Sequence, residues 1–306
     1  MMSATSLPLV ICLGNAVADH VFHVDEVPQP PAKARARSYS LGVGGMAANA
    51  AIAVKRLGGQ AAFWGRVGDD QNAELLTDGL RDEGIDIQGM HRVPGARSPT
   101  SAVLVDRVGE RTIMGYRGDG LGTDPSWLPL ERLKEAGAFL CDPRWPEGAR
   151  HALVEAERLD VPTVLDGERS ETRLLLDLVP LVRYPIFSLP GLNNYAPGAR
   201  PADGLRKAVS EGVTRMAAVT RGEDSTLWMM RGEEKPREMP AYRVQATNTT
   251  GAGDVFHGAF ALAVAEGMEM EEALRFSSAA GALRARDGDT PHREKLETFM
   301  REYCTA

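Results

Sequence analysis

What the 306-residue chain has little of narrows its class before any motif is read. Cysteine is scarce: Cys12, Cys141 and Cys304 form no Cys-x-x-Cys pair, which excludes a disulfide scaffold and a cysteine-rich zinc site. The first two fall in apolar runs that read as buried strands, as expected in a reducing compartment. Positive charge is short, with 35 Lys and Arg against 42 Asp and Glu, a formal net charge of −7. That balance removes the sequence-independent phosphate attraction of a nucleic-acid binder, so an anionic ligand must be held by local groups. No apolar run approaches the roughly 18 residues that span a bilayer, and the opening MMSATSLPLVICLG has neither a basic start nor a small-residue cleavage site. A cytoplasmic protein with neither membrane nor nucleic-acid partners is expected. The chain contains no Gly-Lys dipeptide, which excludes a Walker A loop, and its histidines show no His-Glu-x-x-His spacing. Gly42-Val43-Gly44-Gly45-Met46-Ala47 fits the dinucleotide pattern G-x-G-x-x-A. It does not follow the first strand directly, however, and no acid stands where the next strand would need one.

What is present is the composition of a globular chain, 43% hydrophobic and 25% charged, long enough for two domains or for one α/β domain with an insertion. Leu7–Leu13 reads as a strand buried on both faces. Residues Met46–Leu57 read as an Ala-rich helix stopped by Gly58-Gly59. Strand Ala61–Gly65 and helix Asn72–Glu83 continue a strand–helix alternation. It breaks at Ser98–Asp106 and Glu110–Tyr116, which read as a hairpin turning at Arg107-Val108-Gly109. That hairpin and the strands of Ala16–Ser40, edged by Pro28, Pro30 and Pro31, are expected to form a small sheet standing off the main one. Alternation resumes with strands at Ala138–Cys141, Thr163–Leu165, Pro185–Ser188, Val213–Thr220 and Ser225–Met230. Helices are expected at Glu147–Arg158, Glu171–Leu181, Ala252–Glu266, Met270–Ala285 and Arg293–Tyr303.

The most informative stretch is Asn248-Thr249-Thr250-Gly251-Ala252-Gly253-Asp254, just before an apolar helix. Thr249 or Thr250 is the expected N-cap, and the small residues leave the first helical N–H groups open to an anion. An acid beside an anion-binding helix end repels a merely bound phosphate. It suits phosphoryl transfer, where a base must take the proton of the attacking hydroxyl. The plain alternative is a helix whose early Asp254 complements the dipole.

The segment resembles the C-terminal signature D-T-x-G-A-G-D of the ribokinase-like (PfkB) carbohydrate kinases. Gly44-Gly45-Met46-Ala47-Ala48-Asn49-Ala50-Ala51, running to Leu57-Gly58, resembles their N-terminal signature. Gly65-Arg66-Val67-Gly68-Asp69-Asp70 and Val219-Thr220-Arg221-Gly222 resemble two further motifs, in the family's order. The resemblance implies a Rossmann-like three-layer α/β/α domain over residues 1–306 with a small β-sheet lid from about 16–40 and 98–117. It implies ATP and Mg2+ as cofactors and transfer of a phosphoryl group to a hydroxyl, expected to be primary, of a small sugar. Asp254 would be the general base, with Gly251, Ala252 and Gly253 as the anion hole. Asp19 would hold sugar hydroxyls from the lid, with Gly44, Gly45 and Asn49 lining the sugar pocket. Thr220 and Gly222 would flank the nucleotide, and Gly288 and Pro291 would close the adenine side. Asp69-Asp70 reads as a structural turn, and His257 as an ordinary helix position.

Two departures bear on the metal. Asn248 stands where the family has Asp, and the family's N-x-x-E motif appears as Ser188-Leu189-Pro190-Gly191, which supplies no carboxylate, so the metal ligands are left open. For the sugar, Arg144 at the carboxyl end of a strand suits an anionic group, and this stretch is most similar to sulfofructose kinases. Their contacts would map onto Lys33 and Arg144, while the third position is Gly115 here. The alternatives are a neutral ketohexose, a nucleoside, or a catalytically weak or silent sugar- and nucleotide-binding relative. The exposed edge of a β-lid also suggests a homodimer.

Overall fold

The computed structural model describes residues 7–29, 33–107 and 111–303. Cys304, Pro30, Pro31 and the expected Val108-Gly109 turn lie outside the described residues. In chain order the strands are Leu9–Gly14 (β1), Val17–His23 (β2), Ser38–Gly44 (β3), Gln60–Val67 (β4), Asp86–Arg92 (β5), Thr100–Val105 (β6), Arg111–Tyr116 (β7), Ala136–Cys141 (β8), Thr163–Gly167 (β9), Tyr184–Ser188 (β10), Met216–Thr220 (β11), Ser225–Met230 (β12) and Arg237–Pro240 (β13). The helices are Met46–Arg56 (α1), Gln71–Asp82 (α2), Pro146–Arg158 (α3), Thr172–Leu178 (α4), Leu189–Tyr195 (α5), Pro201–Ser210 (α6), Ala252–Ala265 (α7), Met270–Asp287 (α8) and Arg293–Tyr303 (α9).

Nine strands form the main sheet in the order β13-β12-β11-β10-β9-β8-β1-β4-β5, parallel except where β12 and β13 close one edge. In β1, Val10 and Cys12 pack into one apolar layer and Ile11 and Leu13 into the other. Successive side chains alternate faces, so a strand covered on both sides must be apolar throughout, and β1 is. One layer is closed by α1, α2, α7, α8 and α9, the other by α3, α4, α5 and α6. This is the three-layer α/β/α arrangement expected. At roughly 1.5–3 kcal/mol for each fully buried large apolar side chain, these two layers dominate the folding free energy.

The second sheet, in the order β3-β2-β6-β7, is the lid. Its central pair β2 and β6 is parallel and both flanking pairs are antiparallel, so the hairpin joins the earlier strands as expected.

Several boundaries differ from the sequence reading. β5, β13, α5 and α6 were not expected. The β5 sequence Asp86-Ile87-Gln88-Gly89-Met90-His91-Arg92 is poor in β-branched residues, and its place comes from pairing with β4. In α6, Pro201 at the first turn is a helix-start signal, while Gly204, where a Cβ would come within 3.0 Å of Leu192, masks the pattern. The helix expected over Glu171–Leu181 tightens to a 3-10 turn at Val179–Leu181, where Pro180 has no N–H to continue it. Val213, Thr214 and Arg215 precede β11 as a turn, with the Val213 N–H on the Pro180 carbonyl.

β1 lies between β4 and β8, so the chain leaves it in one direction and later returns on its other side. That reversal opens a crevice at the carboxyl ends of the strands, where α/β folds bind ligands. Asp142 ties the crevice floor together. Its Oδ2 accepts from the N–H groups of Asn15 at 3.2 Å and Ala47 at 3.3 Å, and its Oδ1 accepts from the Arg144 N–H at 2.7 Å. A Cβ on Gly14 would stand 2.0 Å from Asp142 Oδ2, so this packing requires glycine there.

Candidate active site

The loop Asn248–Gly251 delivers the chain into α7. Gly251, with φ of 73°, takes the N-cap position expected of Thr249 or Thr250, and no side chain caps the helix. The two threonine hydroxyls instead accept hydrogen bonds from the Arg111 guanidinium of lid strand β7. Asn248 Oδ1 accepts from the Thr250 N–H at 3.0 Å, a contact a carboxylate would make equally well. Ala252 and Gly253 form the first turn. Gly253 is exposed, and a Cβ on it would meet nothing within 4 Å. An uncapped helix start with small residues leaves donors and the positive dipole end facing the crevice.

Asp254 follows in that turn. Its Oδ2 accepts from Asn49 Nδ2 at 2.7 Å. The two helices approach closely enough for this because both are small at the crossing: a Cβ on Gly258 would lie 2.4 Å from the Ala50 carbonyl oxygen. Burial, with Asp166 and Asp142 nearby, pushes the Asp254 pKa up to about 7, against the opposing Asn49 bond and His257. A carboxylate titrating there is matched to taking a proton near neutral pH.

Beneath it lies a pair the sequence reading missed. His257 is buried, with Nδ1 2.7 Å from the Gly253 carbonyl and 3.4 Å from Asp166 Oδ2, and Nε2 3.1 Å from the Ile186 carbonyl. Burial pulls the imidazole below its ordinary pKa and pushes the Asp166 carboxyl well above its own. The available signal was Asp166 itself, an acid closing the apolar strand β9.

A cavity of about 740 Å3 opens against this helix start, lined by Thr220, Gly222, Thr249, Ala252, Gly253 and Gly281 among others. Thr220 and Gly222 thus share one cavity with the proposed anion hole. Gly288 and Pro291 do not line it. Gly288, with φ of 74°, ends α8 by donating to the Arg284 carbonyl, and Pro291 is buried. That cavity is walled further by residues such as Tyr242, Val244 and Ala285.

On the lid side, Asp19 accepts from Ser101 Oγ at 2.6 Å and rests on Gly44, where a Cβ would come within 1.9 Å of Asp19 Oδ2. Burial raises the Asp19 pKa. Gly45, with φ of 101°, starts α1 under the Asn15 carbonyl, and Asn49 faces Asp254 one turn later. Arg144 is half-buried and donates to the Arg169 carbonyl at 3.1 Å, Lys33 is exposed, and Gly115 lies exposed on β7. Asp70 caps α2, accepting from the Ala73 N–H at 3.0 Å and the Ser98 N–H at 2.8 Å, the structural turn expected.

Ser188 caps α5 by accepting from the Gly191 N–H at 3.1 Å. A Cβ on Gly191 would lie 1.7 Å from the Gly167 carbonyl, so a side chain at that position requires the backbone here to shift. Among the described residues no group of three or more His, Cys, Asp or Glu side chains is arranged to hold a metal ion. This donor set fits magnesium carried by phosphate oxygens and water, the usual state of that ion in kinases, and not an all-protein cage. No helix among the described residues is long and apolar enough to cross a membrane.

The fold is that of the ATP-dependent carbohydrate kinases. The sequence matches the pfkB family carbohydrate kinase over residues 7–293, and the chain belongs to that family. It is 30% identical to fructokinase-1 of Oryza sativa subsp. japonica, covering 90% of this chain and 91% of that protein. Ribokinase of Bacillus subtilis is 27% identical over 95% of this chain and 99% of its own. A crystal structure from Agrobacterium tumefaciens, of a protein provisionally named a ribokinase, superposes with a TM-score of 0.93 at 34% identity, covering 98% of this chain and all of the other. Arabidopsis thaliana ribokinase, solved with ribose and ATP, shares the fold with a TM-score of 0.83 at 23% identity, covering 97% of this chain and 99% of that one. These matches establish the family and do not distinguish a sulfofructose branch.

Proposed function

We propose that the protein transfers the terminal phosphoryl group of ATP to a hydroxyl of a small sugar. One observation carries this reading: Asp254, held by Asn49 and tuned toward neutrality, stands in the uncapped first turn of α7, whose neighbours Ala252 and Gly253 wall the large cavity. ATP occupies that cavity with its terminal phosphate at the helix start. Asp19 and Asn49 position the sugar from above and behind, and Asp254 takes the proton of the attacking hydroxyl. Magnesium, carried with the phosphates, neutralises their charge when bound. The lid strands shield the reacting hydroxyl from water, which favours sugar over solvent as acceptor.

A second reading, an anionic ketose such as sulfofructose, is supported by Arg144 at the carboxyl end of β8. The carboxyls of Asp142 and Asp166 already lie in its field, however, and its guanidinium serves the Arg169 carbonyl. We therefore favour a neutral acceptor. A homodimer through the lid is supported by exposed Tyr39, Leu41, Ile113, Met114 and Tyr116 on its two edge strands, and light scattering tests it.

The experiment is ADP release coupled to an optical readout, with fructose, ribose, sulfofructose and a nucleoside offered in turn. The expected result is sugar-dependent ADP formation with a neutral sugar. Binding of ATP and sugar without turnover would show a silent relative instead. Preference for sulfofructose that disappears in Arg144→Ala would establish the anionic reading.

A further inference from the structure

Arg284, in the last turn of α8, carries a buried Nη1 with no hydrogen-bond partner. It lines a second cavity, of about 320 Å3, together with Asn49, Arg56, Gly251 and Val255. Arg56 is neutralised there by Glu83, with bonds of 2.5 and 3.0 Å, and by Asp289 at 2.6 Å. Arg284 has no comparable partner for Nη1. A buried N–H left unmade costs on the order of 1–3 kcal/mol, and such groups are retained where something else completes them.

Its position says what completes it. A methyl built on Gly251 would stand 3.7 Å from both Nε and Nη2 of Arg284 and 3.6 Å from Asn49 Nδ2. The guanidinium therefore lies beside the start of α7, with the Asp254 carboxylate acting on its charge. Asp254 itself is bonded to Asn49, an uncharged donor that leaves it able to accept a proton. An anion held by the first N–H groups of α7 would therefore be a neighbour of that guanidinium.

We propose that Arg284 is a catalytic residue, donating to an oxygen of the phosphoryl group as it passes from ATP to the sugar. This rests on the kinase reading above. In the step, the sugar oxygen forms a bond to the terminal phosphorus and the bond from that phosphorus to the bridging oxygen breaks. The bridging electron pair leaves with ADP, and the hydroxyl proton goes to Asp254. Negative charge on the transferring oxygens is met by a fixed cation that needs no reorganisation.

The test compares Arg284→Ala and Arg284→Lys with the wild type, using the sugar the wild type phosphorylates best. In Arg284→Ala, kcat is expected to fall by about 100-fold or more while KM for ATP changes less than about threefold. Added guanidinium chloride at millimolar concentration should restore part of the activity by occupying the vacated space, and Arg284→Lys should lie between. A second readout needs no turnover: binding of ADP with aluminium fluoride and sugar should weaken in Arg284→Ala while binding of ADP alone does not. Wild-type kcat in Arg284→Ala, or a loss that guanidinium does not relieve with aluminium fluoride binding intact, overturns the assignment. If Arg284→Ala does not fold, Arg284→Gln and Arg284→Lys carry the same comparison. A wild type that phosphorylates nothing would instead refute the kinase reading, so the two failures are distinguishable.

Discussion

Against the first turn of α7 lies a cavity of about 740 Å3, whose wall near the helix start includes Thr249, Ala252, Gly253, Phe256 and Gly281. A second cavity, of about 320 Å3, has a wall that includes Asn49, Arg56, Glu83, Arg284 and Asp289. The first offers volume and backbone close to the anion hole, the second offers side-chain charge. Two consequences follow if the nucleotide enters the first and the phosphoryl group is transferred at the first turn of α7. Filling the large cavity should act on nucleotide affinity, while altering charge at that turn should act on turnover.

The sharpest break in this comparison is Asp254→Asn. It keeps the shape of the wall and removes the proton acceptor, so kcat is expected to fall by at least about 100-fold with sugar KM nearly unchanged in steady-state assays. Equal turnover would remove Asp254 from the chemistry. Gly253→Leu makes the opposite change. Position 253 is open to solvent and helical, so a side chain there meets no protein atom within 4 Å of its Cβ. KM for ATP is expected to rise by roughly 10-fold while the melting temperature holds or increases, because glycine is a poor helix residue. A rise in sugar KM alone would place the nucleotide elsewhere.

How much of this was legible beforehand differs between the two walls for a physical reason. The large-cavity wall was more readable because small residues at the start of an apolar helix, Ala252 and Gly253, are local signals. β1, α1 and α7 were equally legible through unbroken or Ala-rich apolar runs. The charged wall was not legible, because Arg284 lies on α8 and Arg56 on α1, and only the packing of four helices brings them to Gly251. Asp142 and Asp166 were hidden similarly, since each closes an apolar strand and acquires its meaning from the switch in strand order. Gly288 and Pro291 were placed near the nucleotide by resemblance alone, and neither lines the large cavity.

Asn49 lines the charged wall and reaches the Asp254 carboxylate, and its removal sharpens the comparison at smaller scale. Its amide donates to the Asp254 carboxylate and so favours the ionised form. Asn49→Leu is expected to move the acidic limb of the kcat/KM profile upward from about 7 by roughly one pH unit, since a hydrogen bond to a charged group is worth about 1.5–3 kcal/mol and water recovers part of it. A limb that stays in place would mean that the profile reports another group.

The last expected effect concerns stability and follows from the sign of the same shift. The Asp254 carboxyl is raised above its unfolded value of about 4 by burial and by its acidic neighbours. Native protein therefore binds more protons than unfolded protein between that value and about 7. The stabilising contribution of the protonated form is fully present below about 4 and is lost as pH rises through the folded-state pKa. Asparagine resembles the protonated form at every pH. Asp254→Asn should thus lie near the wild type at pH 4 and exceed it at pH 8 by about 2–4 kcal/mol, read from urea unfolding of the ligand-free proteins. A gap that is constant across this range would show that the carboxyl titrates normally in the native state, and the first turn of α7 would then lack a tuned base.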